Sequence, residues 1–353
     1  MPDDPDPASP PEPAGSAHRR RPRYSGKNPR RFEDKYKEHD PARHSATVAK
    51  VLASGKTPAG THRPIMVAEI LAILAPHSGE TAADCTLGYG GHAREILTRL
   101  QPAGRLLGLD ADPIELPKSE ARLRSLGFGP ELFTAHHSNF AGLPQVLAST
   151  GLGGVDLILA DLGVSSMQLD DPVRGFSVKH SGPLDIRMNP QRGQPASALL
   201  ERLRPADLAR LLTDNADEPH AAALAPLLAG RSFFTTTDLA QAVRAALPRL
   251  GDAAAAQTVR RVFQALRIAV NDEFSALDTF LRALPQCLNP GGRVAVLTFH
   301  SGEDRRVKKS FAAGQRDGHY VAIADEVIRA SPAEQGANPR SASAKLRWAR
   351  RVG

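Results

Sequence analysis

Cysteine is scarce. Cys85 and Cys287 are the only two in 353 residues, and neither belongs to a Cys-x-x-Cys pair. That excludes a disulfide scaffold and a cysteine-based zinc site, and it fits a reducing compartment. Long apolar runs are missing too. The longest candidate, 65–75, is broken by Glu69, short of the roughly 18 apolar residues that a membrane span needs. No apolar secretory stretch opens the chain, and Asp3, Asp4 and Asp6 argue against an organelle transit peptide. These absences predict a soluble, cytoplasmic protein without membrane contact.

Net positive charge is also absent from most of the chain, despite a formal net charge of +7 overall. Residues 19–37 hold nine bases and two acids, and 335–353 hold five bases and no acid. The stretch between is nearly neutral. Charge alone therefore excludes a body that coats nucleic acid, and leaves contact through the ends open. Residues 1–60 contain ten of the 29 prolines and few large apolar residues, and are predicted to form a disordered basic arm.

What is present is a regular alternation. Ile65, Ile70, Leu71 and Leu74 lie at helical spacing and Pro76 ends the pattern. Strand-sized runs follow at 81–85, 105–110, 131–135 and 155–161. Helices are expected from about His92 to Leu100 and from near Pro113. Short apolar strands alternating with helices predict a parallel α/β sheet. From Asp185 to Leu266 every signal is helical: Pro205 suits a first turn, Thr237-Asp238 a cap, and 253–268 is amphipathic. Strand character returns at 291–299. The pattern therefore predicts 61–184 and 267–353 as one α/β domain interrupted by a helical insertion, 185–266.

The loop 84–92, Asp-Cys-Thr-Leu-Gly-Tyr-Gly-Gly-His, joins a strand to a helix. Gly88, Gly90 and Gly91 permit close backbone approach to a ligand, and Asp110 ends the next strand where a carboxylate can accept ribose hydroxyls. The spacing is not that of a dinucleotide fingerprint. Asp84 would repel a pyrophosphate but suits an ammonium group, which favours S-adenosylmethionine over a nicotinamide dinucleotide. Asp161, ending the fourth strand, is placed for binding or chemistry at the acceptor side.

The blocks Asp84–His92, 107–113, Asp161–Asp171, 174–177, 182–188, 263–271, 299–305 and 338–347, in this order, resemble the bacterial 16S ribosomal RNA cytosine-N4-methyltransferase family. The resemblance implies an α/β, doubly wound, Rossmann-like methyltransferase sheet with an inserted all-helical domain that helps recognise RNA. It implies S-adenosylmethionine as cofactor and 16S rRNA of the small ribosomal subunit as partner, with a decoding-centre cytosine as substrate; because the sulfonium is already activated, no metal is expected. Asp84, Gly88, Gly90, Gly91, His92, Asp110, Phe140, Asp161 and Gln168 would line the donor site. Asp161 and His300 are the catalytic candidates, Asp161 with a cofactor role as its alternative. Arg174, Phe176, Arg187, Arg267, Arg340, Lys345 and Arg347 are the candidate RNA contacts. Gly302 stands where the family usually has leucine, Ala342 where it tends to have arginine, and 215–218 replaces a more usual Tyr-Gly-Glu-Glu. Amino-methylation of DNA or another RNA, and a non-catalytic assembly factor, are the competing readings. The sequence leaves the oligomeric state open, a homodimer included.

Overall fold

The computed structural model describes residues 64–353, so the arm expected at 1–60 lies outside the described residues. A short helix α1 (Val67–Leu74) leads into β1 (Thr81–Asp84), α2 (Gly91–Leu100), β2 (Arg105–Asp110), α3 (Leu116–Ser125), β3 (Phe133–His137), α4 (Leu143–Ser149) and β4 (Val155–Asp161). After the one-turn α5 (Ser166–Asp170) the chain runs through α6 (Ala196–Arg202), α7 (Pro205–Ala216), α8 (Ala221–Leu228), α9 (Thr236–Ala246) and α10 (Asp252–Asn271). It returns to the sheet through α11 (Glu273–Cys287), β5 (Leu288–Thr298), α12 (Ser301–Arg316), β6 (Tyr320–Ile323), α13 (Pro332–Ala337) and β7 (Lys345–Arg351).

The seven strands stand in the order β3-β2-β1-β4-β5-β7-β6. β1 pairs parallel with both β2 and β4, whereas β7 runs antiparallel to β5 and β6. Strand order therefore reverses between β1 and β4, and a crevice for a ligand opens there, beyond the carboxyl ends of the strands. Asp84, Asp110 and Asp161 each end a strand at that edge.

Strand alternation explains both faces of the sheet. On β4, Ile158 and Ala160 enter one core with Leu147, Leu277, Phe280 and Phe311, while Leu157 and Leu159 enter the other with Ile70, Ile96, Leu97 and Phe133. Burial on both faces is why these strands read as near-continuous apolar runs. A third core, from Phe176 and Leu184 to Leu266, belongs to the helical segment. It begins near the expected insertion, but α10 runs through the expected boundary at 266.

Three local expectations shift. The third strand is Phe133–His137 rather than 131–135, and α3 starts at Leu116, beyond Pro113. The cap of α9 is Thr235, whose hydroxyl accepts the Asp238 N–H while the Asp238 carboxylate accepts the Thr235 N–H. This reciprocal box outcompetes Thr237 because it satisfies two otherwise unpaired donors. The basic C-terminal segment, expected to meet RNA, holds β7, paired on both sides within the sheet.

Candidate active site

The site is built on loops at the sheet's carboxyl edge. Gly90 (φ 81°) ends the β1 loop in a conformation that favours glycine, and a Cβ on Gly91 would lie 2.8 Å from Pro64 Cγ. Asp110 holds this loop: its Oδ2 accepts the Gly88 N–H at 2.7 Å and its Oδ1 the Asp112 N–H at 2.8 Å. Asp84 lies beneath, 1% exposed, accepting the Thr86 N–H at 3.1 Å. His92 bonds the Ile65 carbonyl through Nε2 (2.9 Å), and its Nδ1 sits 3.6 Å from Asp161 Oδ2. With Nε2 donating, Nδ1 of the neutral ring is an acceptor. Burial keeps the ring below its usual pKa.

A cavity of about 820 Å³ opens over these groups. Its wall includes Gly88, Gly91, His92, Asp110, Phe140, Asp161 and Gln168 of the sequence-derived donor set. Asp84 and Gly90 belong to the same loop but do not line the cavity. The carboxylates are under electrostatic pressure. Burial pushes Asp84 and Asp110 up to about 6, and burial with the nearby Glu303 charge pushes Asp161 up to about 7. A concave site lined by Asp110 and Asp161, with Asp84 buried nearby and, among the described residues, no Lys or Arg paired to any of the three, suits a cationic ligand and disfavours a pyrophosphate. The ammonium and sulfonium of S-adenosylmethionine fit that charge, and the Asp110 carboxylate at the strand end fits its ribose.

The cavity is also lined by Phe299, Arg267, Glu273, Glu303 and Arg340, with Met188, Asn189, Arg192 and Gly193 from the loop after Ile186. That loop is held tightly. Ile186 is a buried, β-branched residue at φ 65°, a costly conformation that its surroundings must fix. Asn271 does so, donating to the Ile186 carbonyl (2.9 Å) and accepting from Met188 N–H (2.7 Å). Arg174 adds bonds to the carbonyls of Arg187 (3.1 Å) and Met188 (2.9 Å).

The basic and aromatic candidates for RNA are distributed differently from the sequence expectation. Arg174 is buried and pairs with Asp112 at 2.7 Å, where Gln168 also donates at 2.9 Å. Arg187 forks onto Asp185 (2.8 and 2.7 Å), and Phe176 is buried in the helical core. Arg347 and Lys345 pair with Asp304 at 2.7 and 3.4 Å. Arg340 donates to Ser166 and lies 3.4 Å from Asp170. Of the seven candidates only Arg267 and Arg340 line the cavity. His300 does not line it. It caps α12, accepting from Glu303 N–H at 3.4 Å, with Nε2 3.1 Å from Glu303 Oε1.

Glu273 and Glu303 were not singled out as site residues. The acid-first, base-last order of 303–309 also suits a helix dipole, which conceals the inward-facing Glu303. The departures have structural reasons as well. A Cβ on Gly302 would lie 2.6 Å from Phe274 Cζ, so that ring occupies the space a leucine needs. Asp217 ties the helical segment to α12 through Ser301 (3.0 Å) and Arg305 (3.1 Å). Nothing in the structure explains Ala342.

The chain matches the model of the MraW methylase family over residues 59–352. It is 47% identical to a Lachnoclostridium phytofermentans protein named ribosomal RNA small subunit methyltransferase H 1, over 94% of this chain and 93% of that one. It is 48% identical to the H 2 protein of Alkaliphilus metalliredigens (94% and 97%) and 42% identical to the H protein of Halorhodospira halophila (87% and 99%). Similarity of this extent, on a sheet whose acidic crevice suits a sulfonium donor, means that the chain belongs to the MraW methylase family and is an S-adenosylmethionine-dependent methyltransferase.

Proposed function

We propose that this protein methylates the exocyclic N4 amine of a decoding-centre cytosine in 16S rRNA. The relatives' names support an rRNA substrate of the small subunit. The observation that carries the amine reading is Asp161, a carboxylate at the end of β4 that faces the cavity and accepts no hydrogen bond among the described residues.

Residues Gly88, Gly91, His92, Asp110, Phe140 and Gln168 would hold the donor, with Asp84 and Gly90 supporting them. When bound, S-adenosylmethionine supplies a methyl group already activated on a sulfonium. The protein's task is to make a poor nucleophile attack in line. The cytosine amine is weak because its lone pair is delocalised into the ring. A carboxylate accepting one of its hydrogens favours the rehybridised form, in which the lone pair is available. Methylation releases one proton from nitrogen. Asp161, pushed up to about 7, is matched to take that proton near neutral pH. The base must leave its stack to reach this depth.

The helical segment around 185–266, with its own core and its tie to α12, is proposed to contact RNA. Arg192, which belongs to the loop lining the cavity, marks the side on which it would do so. Labelled donor incubated with small subunits lacking the modification, alongside DNA and free RNA, tests this reading. Label at one cytosine N4 of subunit RNA is expected. Label only in DNA, or at a ring carbon, overturns it.

A further inference from the structure

The acceptor wall of the cavity holds a charged cluster for which the donor has no use. Arg267 of α10 forks onto Glu273 of α11, Nε to Oε1 at 2.7 Å and Nη2 to Oε2 at 2.8 Å. The same Nη2 lies 3.9 Å from Oε1 of Glu303 in the first turn of α12. Glu303 is 3% exposed. Its Oε2 accepts the Phe299 N–H at 2.9 Å, and its Oε1 lies 3.1 Å from His300 Nε2. All of these except His300 line the same cavity as Asp161.

Such a cluster is costly to bury, and packing alone would be served as well by apolar side chains. Two features suggest what it does. First, both carboxylates keep spare acceptor capacity, since each oxygen carries two lone pairs. Burial works against Glu303, yet its His300 and Arg267 neighbours hold it below the usual carboxylate range, so it stays an acceptor. Second, Arg267 Nη1 has no hydrogen-bond partner among the described residues, although the side chain is only 15% exposed. The cluster therefore offers acceptors beside a fixed donor on one wall. Glu273, His300 and Glu303 are close enough together to share a cation, but the Arg267 guanidinium already supplies the positive charge at that point.

We propose that Arg267, Glu273 and Glu303 form a base-reading subsite for a 4-aminopyrimidine ring. A carboxylate accepts from the exocyclic amine and Arg267 Nη1 donates to a ring acceptor, N3 or O2. This rests on the reading of a cytosine amine as methyl acceptor. Cytosine offers two amine hydrogens beside N3 and O2, whereas uracil offers a carbonyl oxygen at the amine position and an N–H at N3. A carboxylate facing that oxygen repels it. The cluster thus favours cytosine and rejects uracil, by the carboxylate-to-amine pairing used elsewhere to read this base. Arg267 here reads a base edge and does not grip a phosphate. His300 acts through Glu303 and is a positioning residue.

The test uses the full chain, small subunits lacking the modification, and labelled donor. Cytidine is expected to inhibit methylation competitively with subunits at a concentration about tenfold or more below that of uridine. Glu303→Gln should erase this preference and lower kcat about tenfold or more, with S-adenosylmethionine affinity by calorimetry changed less than about twofold. Because Glu303→Gln can disturb the α12 cap, the charge-removing Arg267→Gln is measured beside it. It should lower kcat while leaving KM for subunits and the salt slope of RNA binding unchanged. A slope reduced by about one means that Arg267 grips a phosphate, and overturns the proposal. Equal inhibition by cytidine and uridine, inhibition by neither, or a preference that survives in Glu303→Gln also overturns it. If subunits accept no methyl group, the rRNA reading has failed. The cytidine–uridine comparison is then made by ligand-detected NMR on the protein with S-adenosylhomocysteine, so the two failures are distinguished.

Discussion

Asp161→Asn is expected to stabilise the ligand-free protein while removing its activity, and the size of the gain should depend on pH. The Asp161 carboxylate accepts no hydrogen bond among the described residues, and its nearest basic group is His92 Nδ1 at 3.6 Å. An amide of the same shape therefore loses no bond. Burial, and then the Glu303 charge, push Asp161 from 3.8 up to about 7. A carboxyl whose folded pKa lies above its unfolded value binds more protons folded than unfolded. Its penalty is absent below about pH 4, grows as pH rises, and is complete above about pH 7. A shift of this size corresponds to about 4 kcal/mol at most. Because 27% of the side chain faces the solvent-filled cavity, screening reduces it, and about 1–2 kcal/mol is expected at pH 8. Urea denaturation of wild type and variant at pH 4, 6 and 8 measures this. The midpoints should coincide at pH 4 and separate progressively toward pH 8, with the variant higher. A variant less stable at pH 8, or a gap independent of pH, would refute the electrostatic reasoning. Methyl transfer should fall in parallel, a trade of stability against activity at a strained site.

Other consequences are open to direct measurement. With Asp110 pushed up to about 6, S-adenosylmethionine should bind about tenfold more weakly at pH 5 than at pH 8 if only the carboxylate form is competent. Calorimetry should show Asp110→Asn weaker throughout, with that dependence flattened. Arg174→Met strands the buried Asp112 and should cost about 3–5 kcal/mol in denaturant unfolding, with Asp112→Asn recovering part of the loss in the double variant. Gly302→Leu should destabilise by about 1–3 kcal/mol against the Phe274 ring, and Phe274→Ala should relieve it in a double-mutant cycle. Arg347→Gln should leave the salt slope of RNA binding unchanged, because its guanidinium is engaged by Asp304 at 2.7 Å.

The sheet was legible because its strands are short, apolar and bounded by turn residues. β4 matched its expected span, 155–161. β6 and β7 were not legible. β7 reads Lys-Leu-Arg-Trp-Ala-Arg-Arg, and its charges mimic a nucleic-acid tail. Its place between β5 and β6 is set by long-range pairing, with Leu346 opposite Leu297 and Ala349 opposite Val294. No local pattern reports such pairing. The β3 boundary slipped because Leu132, though buried, precedes the strand, while His136 and His137 extend it despite their polarity.

The acceptor side shows where sequence reasoning runs out in physical terms. An arginine carries the same charge whether it grips a phosphate, locks a loop or faces a base, and only its tertiary partner decides which. Arg174 sits 62 residues from Asp112, and Arg340 174 residues from Ser166. Neither distance leaves a trace in composition or periodicity. The ordered motifs single out residues without giving their jobs. Arg174 and Asn271 spend their hydrogen bonds fixing Ile186 and Met188, and so shape the wall that faces the donor pocket. The donor pocket and the helical segment are thereby joined through one buried ion pair, Asp112 with Arg174, two residues beyond the carboxylate that would bind the ribose. A substitution there should alter both sites together, whereas one at Arg267 should alter only the acceptor side.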